Sequence, residues 1–319
     1  MVHSNRESRS LGGCIMKYAG KIWGCGIIAA VTILIGGACA KKPADEPNVL
    51  KFPSDSITEL NIFYDEEEIT FYKSSDETIT VKEFMTDCDK RYFASVKQQG
   101  NSLQISEGKK PLFKSGFHRY VEVYLPDSYS GSLGVTTTDG DINLSRTVLD
   151  LESLRIDSTS GTVTISGASA PSIYLSTTRG TLKLGKIRGG QIRLETTSGE
   201  LKCSKMEGTI SYTTTSGNAV IKSAAGSGVY RAENSGKLYV SYEKVDGDLS
   251  FYNKNDKIEL LLPRGLEYEL RAVTKNGTVK APLSDGMLVE KGRIEGDVGD
   301  RPTVKIELES KNGDIRVEQ

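Results

Sequence analysis

Few side chains in this sequence form a recognisable catalytic or metal-binding motif. Histidine occurs only as His3 and His118, and neither has a partner at motif spacing. No cysteine–histidine cluster has the spacing of a zinc site, and Gly189-Gly190-Gln191-Ile192 lacks the Gly and Asp of a calcium-binding nonapeptide. No EF-hand loop, phosphate-binding loop or nucleophile elbow occurs. We therefore expect no catalytic residue, no metal site and no cofactor.

Carboxylates are the remaining candidates for catalysis. Polysaccharide lyases and hydrolases built from stacked β-coils use acidic or basic side chains on an outer face. The acids in comparable positions are Asp139, Asp141, Asp157, Glu195 and Glu200. A glycosidase needs two carboxylates at a defined separation, whereas acids at corners and on outward strand positions usually form a solvated face. A polysaccharide-active enzyme is therefore the alternative and not the preferred interpretation.

Four tyrosines are candidates for a binding surface. The alternation described below places Tyr174, Tyr230, Tyr239 and Tyr252 on the outside of the fold. Exposed aromatic rings on a rigid β-face can bind sugars or partner proteins. Shielding of neighbouring strands explains them equally well, so both interpretations stay open.

The elements that position these residues follow from an internal repeat, which is a short turn motif ending in glycine. It occurs as Thr138-Asp139-Gly140, Thr159-Ser160-Gly161, Thr178-Arg179-Gly180, Thr197-Ser198-Gly199, Thr215-Ser216-Gly217, Asn234-Ser235-Gly236, Lys275-Asn276-Gly277 and Lys311-Asn312-Gly313. Asn255-Asp256 fills the missing place, with Asp256 where glycine is expected. The steps between successive motifs are 21, 19, 19, 18, 19, 20, 21 and 36 residues, so the last step contains an insertion.

Apolar residues alternate with polar ones on both sides of each turn. Counting from the turn glycine, positions −7, −5, +2 and +4 are apolar in 35 of 36 cases, and Arg231 is the exception. A one-residue bulge at Tyr230 would explain it. Strict alternation indicates half-buried strands. We predict an all-β, single-stranded parallel β-helix of about nine two-strand coils, right-handed by the crossover rule. Antiparallel hairpins, as in a propeller or prism, are the competing topology.

Position −3 of the repeat also faces inward and is mostly hydroxylated. It is occupied by Thr137, Ser158, Thr177, Thr196, Thr214, Glu233, Asn253, Thr274 and Ser310. We expect these hydroxyls to hydrogen-bond backbone groups that the corner leaves unpaired. A catalytic row of hydroxyls is disfavoured because no base lies nearby.

The N-terminal part has a different character. Residues 1–40 read as a leader, either a signal peptide or a membrane anchor, because residues 22–40 carry no charge and Lys17 and Lys21 precede them. The true start is Met1 or Met16. Residues 41–55 are predicted to be a linker, 56–130 an N-terminal β cap, and 131–319 the repeats.

Cysteine use agrees with export. Cys39 follows small residues, as in a bacterial lipoprotein signal, although Gly36 stands where Leu is usual. We expect Cys39 to be the lipidated residue, with an uncleaved helix as the rival. Cys203 falls on an inward position and is expected to pack as a small apolar residue. A bridge from Cys203 to Cys88 has no support in the sequence.

Several motifs resemble those of the bacterial DUF4097 putative adhesin family. They are Tyr124-Leu125-Pro126-Asp127, Leu261-Leu262-Pro263-Arg264, the repeated Thr-Thr-Ser-Gly turns and the closing Lys311-Asn312-Gly313-Asp314-Ile315-Arg316-Val317. The resemblance covers about residues 50–319 and implies a parallel β-helix that is often attached to the bacterial envelope. It carries over no binding residue.

These observations together predict a non-catalytic scaffold for adhesion or interaction. The chain would be extracytoplasmic, held at the bacterial membrane or cell surface by its N-terminal anchor. Its expected partner is an envelope protein or a glycan, and its net charge of −1 gives no reason to expect nucleic acid. Besides the polysaccharide-active enzyme, an accessory subunit of a membrane stress sensor is an alternative.

Overall fold

The computed structural model describes residues 47–87, 89–111 and 116–319. Apart from two single-turn 3-10 helices at Ser54–Ser56 and Lys90–Tyr92, the regular structure of these residues is β-strand. No helix in the described ranges is long and apolar enough to cross a membrane. The predicted leader, including Met16 and Cys39, lies outside the described residues.

The N-terminal region contributes seven strands. They are β1 (Asn48–Pro53), β2 (Glu59–Phe63), β3 (Glu68–Ser74), β4 (Thr78–Met85), β5 (Ser95–Gln99), β6 (Ser102–Ser106) and β7 (Arg119–Pro126). Strand β1 pairs antiparallel with β4 and buries Phe52. Part of the linker that the sequence predicts over residues 41–55 is therefore a β-strand.

The central region contains the long strands. They are β8 (Ser132–Thr137), β9 (Ile142–Asp150), β10 (Ser153–Ser158), β11 (Thr162–Thr177), β12 (Thr181–Thr196), β13 (Glu200–Thr214), β14 (Ala219–Ala232) and β15 (Leu238–Asn253). The C-terminal strands are β16 (Ile258–Leu261), β17 (Tyr268–Thr274), β18 (Val279–Lys280), β19 (Leu288–Glu290), β20 (Arg293–Val298), β21 (Val304–Ser310) and β22 (Ile315–Glu318).

Equivalent residues of successive repeats lie directly beside one another in parallel pairs. Leu175 of β11 pairs with Leu194 of β12, and that residue pairs in turn with Tyr212 of β13. Such in-register pairing buries one continuous core between the strands. The all-β, mostly parallel prediction is confirmed, and the antiparallel-hairpin alternative is wrong for these repeats.

Each central coil has a third side that the sequence analysis did not identify. Strands β11 to β15 continue through the second corner, and one inward residue of each contributes a further buried column: Ala168, Ile187, Met206, Ala224 and Tyr242. A two-strand coil is therefore an incomplete description of the repeat in this region.

The coils at both ends stack out of chain order. At the N-terminal end, β2 lies between β6 and β8, and β3 pairs with both β7 and β9. At the C-terminal end, β21 lies between β15 and β17, and β22 pairs with both β16 and β18. Two coils thus lie within the predicted N-terminal cap, in addition to the nine repeats.

Antiparallel strands cover the outermost coils. Strand β4 pairs with β7 and β5 with β6, while β20 pairs with β17 at the other end. These pairings occupy backbone groups that would otherwise form an open parallel edge. The insertion before the last repeat supplies β19 and β20, which explains the long final step of the repeat.

The irregular repeat around Arg231 has a different cause from the predicted bulge. Tyr230 is fully buried beside Tyr212, whereas Val229 and Arg231 are exposed. The inward position that Thr214 occupies in the preceding coil is taken by Ala232, which lies four residues before Gly236. The extra residue therefore belongs to the corner, and Glu233 is exposed and not part of the inward column.

Hydroxyls of the inward column hold the turn glycines, as predicted. The Gly180 N–H donates to Thr177 Oγ1 at 2.9 Å, and the Gly217 N–H donates to Thr214 Oγ1 at 2.7 Å. The Gly313 N–H donates to Ser310 Oγ at 2.8 Å. Each bond satisfies a backbone donor that the corner leaves without a ladder partner.

Candidate functional site

The five acids considered for catalysis are engaged with neighbours in the stack. Asp157 accepts a hydrogen bond from Ser176 at 2.7 Å and forms an ion pair with Arg155 at 2.7 Å. Asp141 accepts from the backbone N–H of Thr162 at 2.6 Å. The other contacts are Asp139 with Ser160, Glu195 with Tyr174 and Arg193, and Glu200 with Lys202. These contacts give each acid a structural partner between or along coils.

The four tyrosines divide into one buried and three partly exposed residues. Tyr230 is buried, so the prediction that it faces outward is wrong. Its ring stacks on Phe251 at 4.5 Å between centroids, and its hydroxyl lies 2.8 Å from that of Tyr242. The direction of the Tyr230 side chain was predicted by counting back from Gly236. The corner before Gly236 contains one residue more than the corners of the preceding coils, so the side chain points inward and not outward.

Tyr174, Tyr239 and Tyr252 lie on the outer faces and are partly exposed. The guanidinium of Arg155 lies 4.4 Å from the centre of the Tyr174 ring, and that of Arg193 lies 5.6 Å from it. Arg231 is 4.9 Å from the ring of Tyr252. Cation–π contacts of this kind join neighbouring coils, so two of the three rings already shield adjacent strands.

The remaining candidates do not form a site. His118 is exposed. Cys203 is a free, buried thiol, and burial raises its pKa to about 12, which disfavours the reactive thiolate. Cys88 lies outside the described residues. Within the described ranges, no group of three or more His, Cys, Asp or Glu is arranged to hold a metal ion.

The third side of the stack carries an open groove of about 630 Å³. Its charged walls are Lys205 and Glu207 from β13 and Glu243, Lys244 and Asp246 from β15. The intervening strand β14 supplies the floor. Both signs of charge therefore border the same depression.

The groove exists because β14 is built from small residues on this side. Its floor contains Ala225, Gly226 and Ser227. Gly226 has φ +120° and stacks on Gly208, whose carbonyl oxygen would lie 2.1 Å from an added Cβ atom. Any side chain at Gly226 would thus disturb the stack, so close coil packing and the depression have the same origin.

An ion pair crosses the groove from one wall to the other. Lys205 Nζ lies 3.0 Å from Glu243 Oε2 and 3.3 Å from Glu207 Oε1. The hydrogen bond from Lys205 to Glu243, followed by that to Glu207, raises the pKa of Lys205. One coil, that of β14, separates Lys205 from Glu243, and its small side chains leave this path open. The groove has no signal along the sequence because three neighbouring coils are needed to form it.

A second polar cluster lies at the N-terminal end of the stack. Arg119 Nη2 lies 2.8 Å from Glu67 Oε1 and 3.1 Å from Glu107 Oε2, and the arginine side chain is completely buried. Lys110 Nζ lies 3.4 to 3.6 Å from carboxylate oxygens of Asp65, Glu67 and Glu107. The cluster joins the corners of the two outer coils. These coils stack in the reverse of their order along the chain.

The two glutamates of this cluster share its negative charge unequally. Burial, together with the nearby Glu67 carboxylate, raises the pKa of Glu107 to about 7. Burial acts in the same direction on Glu67, but hydrogen bonding with Glu107 and the charge of Arg119 outweigh it and lower its pKa to about 2. One proton near neutral pH therefore resides mainly on Glu107.

The comparisons with known proteins agree with the repeat pattern. The family pattern described as "Toastrack DUF4097" matches residues 57–318. A comparison with curated proteins gives no match.

Solved structures also align with most of the chain. A "putative adhesin" from Bacteroides fragilis NCTC 9343 is 12% identical, with 86% of this chain and 98% of that chain covered and a TM-score of 0.45. Another from Parabacteroides distasonis ATCC 8503 is 14% identical, with 86% and 98% covered and a TM-score of 0.41. Because the family pattern spans most of the sequence, the chain belongs to the DUF4097 toastrack family.

Proposed function

We propose that this protein is a cell-envelope-anchored, surface-exposed interaction scaffold that binds an envelope protein or a glycan without catalysis. The observation that carries the proposal is the open groove on the third side, with Lys205 and Glu207 on one wall and Glu243 on the other. Both walls belong to long, continuous strands that pair with β14, so the groove is preformed. On the β15 side the register shifts at the groove floor, around Ala224 to Gly228. We expect the coils to wind right-handed, as the crossover rule favours.

A binding role agrees with the chemistry of the outer faces better than hydrolysis does. The candidate acids Asp157 and Glu195 contact arginines, and Asp141 holds a backbone amide of the next coil. A general acid of a glycosidase needs a raised pKa, whereas hydrogen bonds from Tyr174 and Arg193 lower the pKa of Glu195 despite its partial burial. The polysaccharide-active enzyme therefore stays the less favoured alternative.

The envelope location rests on the N-terminal sequence. Cys39 would be diacylated after cleavage of the leader and would leave the coils outside the membrane. Metabolic labelling with a lipid analogue, applied to the wild type and Cys39→Ala, tests the anchor. We expect label only in the wild type; an unlabelled wild type would contradict the lipoprotein assignment and favour an uncleaved helix.

Binding itself is tested with the full-length chain purified in detergent. Immobilised envelope polysaccharides, neutral and anionic, and purified envelope proteins are the ligands, and Ala225→Trp fills the groove floor. We expect saturable binding by the wild type and a loss of at least tenfold in affinity for Ala225→Trp. Tyr239→Ala, on a different face, is the matched control.

The same preparations separate binding from catalysis. Release of reducing ends or unsaturated products from the polysaccharides would favour the enzyme alternative. Absence of binding to every ligand, or equal binding by wild type and Ala225→Trp, would contradict the proposed role of the groove.

A further inference from the structure

Several outward charges on the stack are compensated within their own strand. Arg155 pairs with Asp157, Lys244 with Asp246 and Arg293 with Glu295, in each case two residues apart. Side chains two residues apart point to the same face of a strand, so these pairs neutralise charge along the outer surface. Exposed lysines that lie together without such a partner leave a local excess of positive charge.

Such a group lies along the corner that leads into the third side. Lys183 of β12 pairs in register with Lys202 of β13, and Lys186 pairs with Lys205. Parallel strands lie about 4.8 Å apart, so like charges meet directly across the ladder, which is unfavourable. We call the corner formed by these four residues and the exposed Lys222 of β14 the lysine edge.

Three members of the lysine edge have no counter-charge in the structure. Within the described ranges, Lys183, Lys186 and Lys222 form no ion pair, and all three are exposed. Lys202 and Lys205 do contact acids, namely Glu200 and Glu243. Lys183 and Lys186 thus lie beside lysines that are already ion-paired, so the edge carries an excess of positive charge that an anionic ligand would reduce.

The lysine edge is continuous with the groove, because Lys205 belongs to both. Beyond it, the groove presents the carboxylates of Glu207, Glu243 and Asp246, which accept hydrogen bonds but repel anions. A ligand that follows the edge into the groove must therefore carry negative groups separated by uncharged, hydroxyl-rich stretches.

We propose that the lysine edge and the groove together bind a linear anionic polysaccharide, whose carboxylates contact the lysines while its hydroxyls donate to the groove acids. This inference rests on the proposed function and specifies the class of ligand. A nucleic acid or a polyphosphate has closely spaced phosphates that the acids of the groove would oppose, and the chain has a net charge of only −1.

The test measures binding of the full-length chain in detergent to three polymers of matched length: sodium hyaluronate, neutral dextran and polyphosphate. Hyaluronate is the probe because uncharged sugars separate its carboxylates. We expect hyaluronate to bind more tightly than either other polymer, with an affinity that falls as salt is raised.

Substitutions then locate the binding. The double variant Lys183→Gln/Lys186→Gln is expected to bind hyaluronate about tenfold more weakly, as two weak ion pairs would predict. Lys275→Gln/Lys311→Gln removes the same charge at exposed corner positions of the C-terminal coils and is expected to bind as the wild type does. Because the first variant removes like-charge contacts, its thermal midpoint should equal or exceed that of the wild type.

The outcomes distinguish this inference from the proposed function. Equal loss in both double variants, or equal binding of hyaluronate and dextran, would overturn the anionic-polysaccharide assignment while leaving a glycan-binding groove intact. Tighter binding of polyphosphate would overturn it in favour of a phosphate polymer. Binding of an envelope protein alone, lost in Ala225→Trp, would support the scaffold and contradict the ligand class.

Discussion

Asp256 Oδ2 accepts a hydrogen bond at 2.8 Å from the backbone N–H of Gly236, the turn glycine of the preceding coil. The inward residue that would cap Gly236 is Ala232, which has no hydroxyl. The next coil replaces the missing cap with Asp256, and Asn253 supports it by donating to the Gly236 carbonyl at 2.7 Å. Two apparent defects of the repeat, an alanine and an aspartate, therefore compensate each other.

The first prediction concerns this compensation. Asp256→Ala leaves the buried Gly236 N–H without its acceptor, so the free energy of unfolding should fall by about 1–2 kcal/mol. Urea unfolding of the purified chain measures it. Asp285→Ala, at an exposed position, is the control and should change stability by less than about 0.5 kcal/mol. Equal effects of the two substitutions would show that the carboxylate cap is energetically irrelevant.

The second prediction concerns the hydroxyl column. Thr214 Oγ1 accepts from the Gly217 N–H and lies 2.8 Å from Thr196 Oγ1. Thr214→Val keeps the shape but removes both bonds, and should lower the free energy of unfolding by about 1–3 kcal/mol. Thr213→Val, at the neighbouring outward position, should be neutral or slightly stabilising because valine suits a strand. Thermal unfolding of both variants measures these changes. A loss of stability in Thr214→Val alone indicates that its hydroxyl caps the turn, whereas an unchanged Thr214→Val indicates that the side chain contributes only by packing.

The third prediction separates the buried tyrosine from an outer one. Tyr230→Ala removes a ring stacked on Phe251 in the core and should cost about 3–5 kcal/mol. Tyr252→Ala removes a partly exposed ring next to Arg231 and should cost about 1 kcal/mol or less. Denaturant unfolding compares the two. Similar losses would contradict the register in which Tyr230 points inward.

The fourth prediction concerns pH. The pKa of Glu107 is raised to about 7 in the folded protein, above its ordinary value of 4.5, so the folded state binds the proton more tightly than the unfolded state. Stability from this group is fully present below about pH 4.5 and is lost as pH rises through about 7. Glu67, whose pKa is lowered to about 2, contributes stability that is fully present above about pH 4.5 and is lost as pH falls towards 2.

Glu107 accepts hydrogen bonds from the Asp65 backbone N–H and from Arg119, and it forms an ion pair with Lys110, which also contacts Asp65, Glu66 and Glu67. Unfolding free energies measured from pH 5 to pH 8 should therefore decrease with pH for the wild type. Glu107→Gln should reduce that slope, and Glu152→Gln, at an exposed site, should retain it. An unchanged slope in Glu107→Gln would assign the pH dependence to another group.

Much of the repeat could be predicted because strand alternation and turn glycines are local signals. At repeat positions −7, −5, +2 and +4, all but four residues are buried; Val229 and Arg231 are exposed, and Val279 and Ala281 are partly buried. The first two were misplaced because counting from Gly236 assumes corners of equal length. That corner contains one more residue, which reverses the expected direction of the side chains from Val229 to the corner.

Other features required the tertiary arrangement. The third buried column has one apolar residue per coil, such as Met206 among Lys205, Glu207 and Gly208, so no alternation marks it. The reversed order of the end coils depends on pairing between distant strands, which a repeat count does not contain. The groove depends on small residues in β14 lying between charged residues of two neighbouring coils.

The central claim is that the third side of the stack is the interaction surface. Amide hydrogen exchange of the full-length chain, with and without sodium hyaluronate, tests it directly. We predict added protection in residues 205–209 and 225–227, with little change on the face of Tyr239. Protection confined to the face of Tyr239, or no change in the groove at saturating polymer, would contradict the claim.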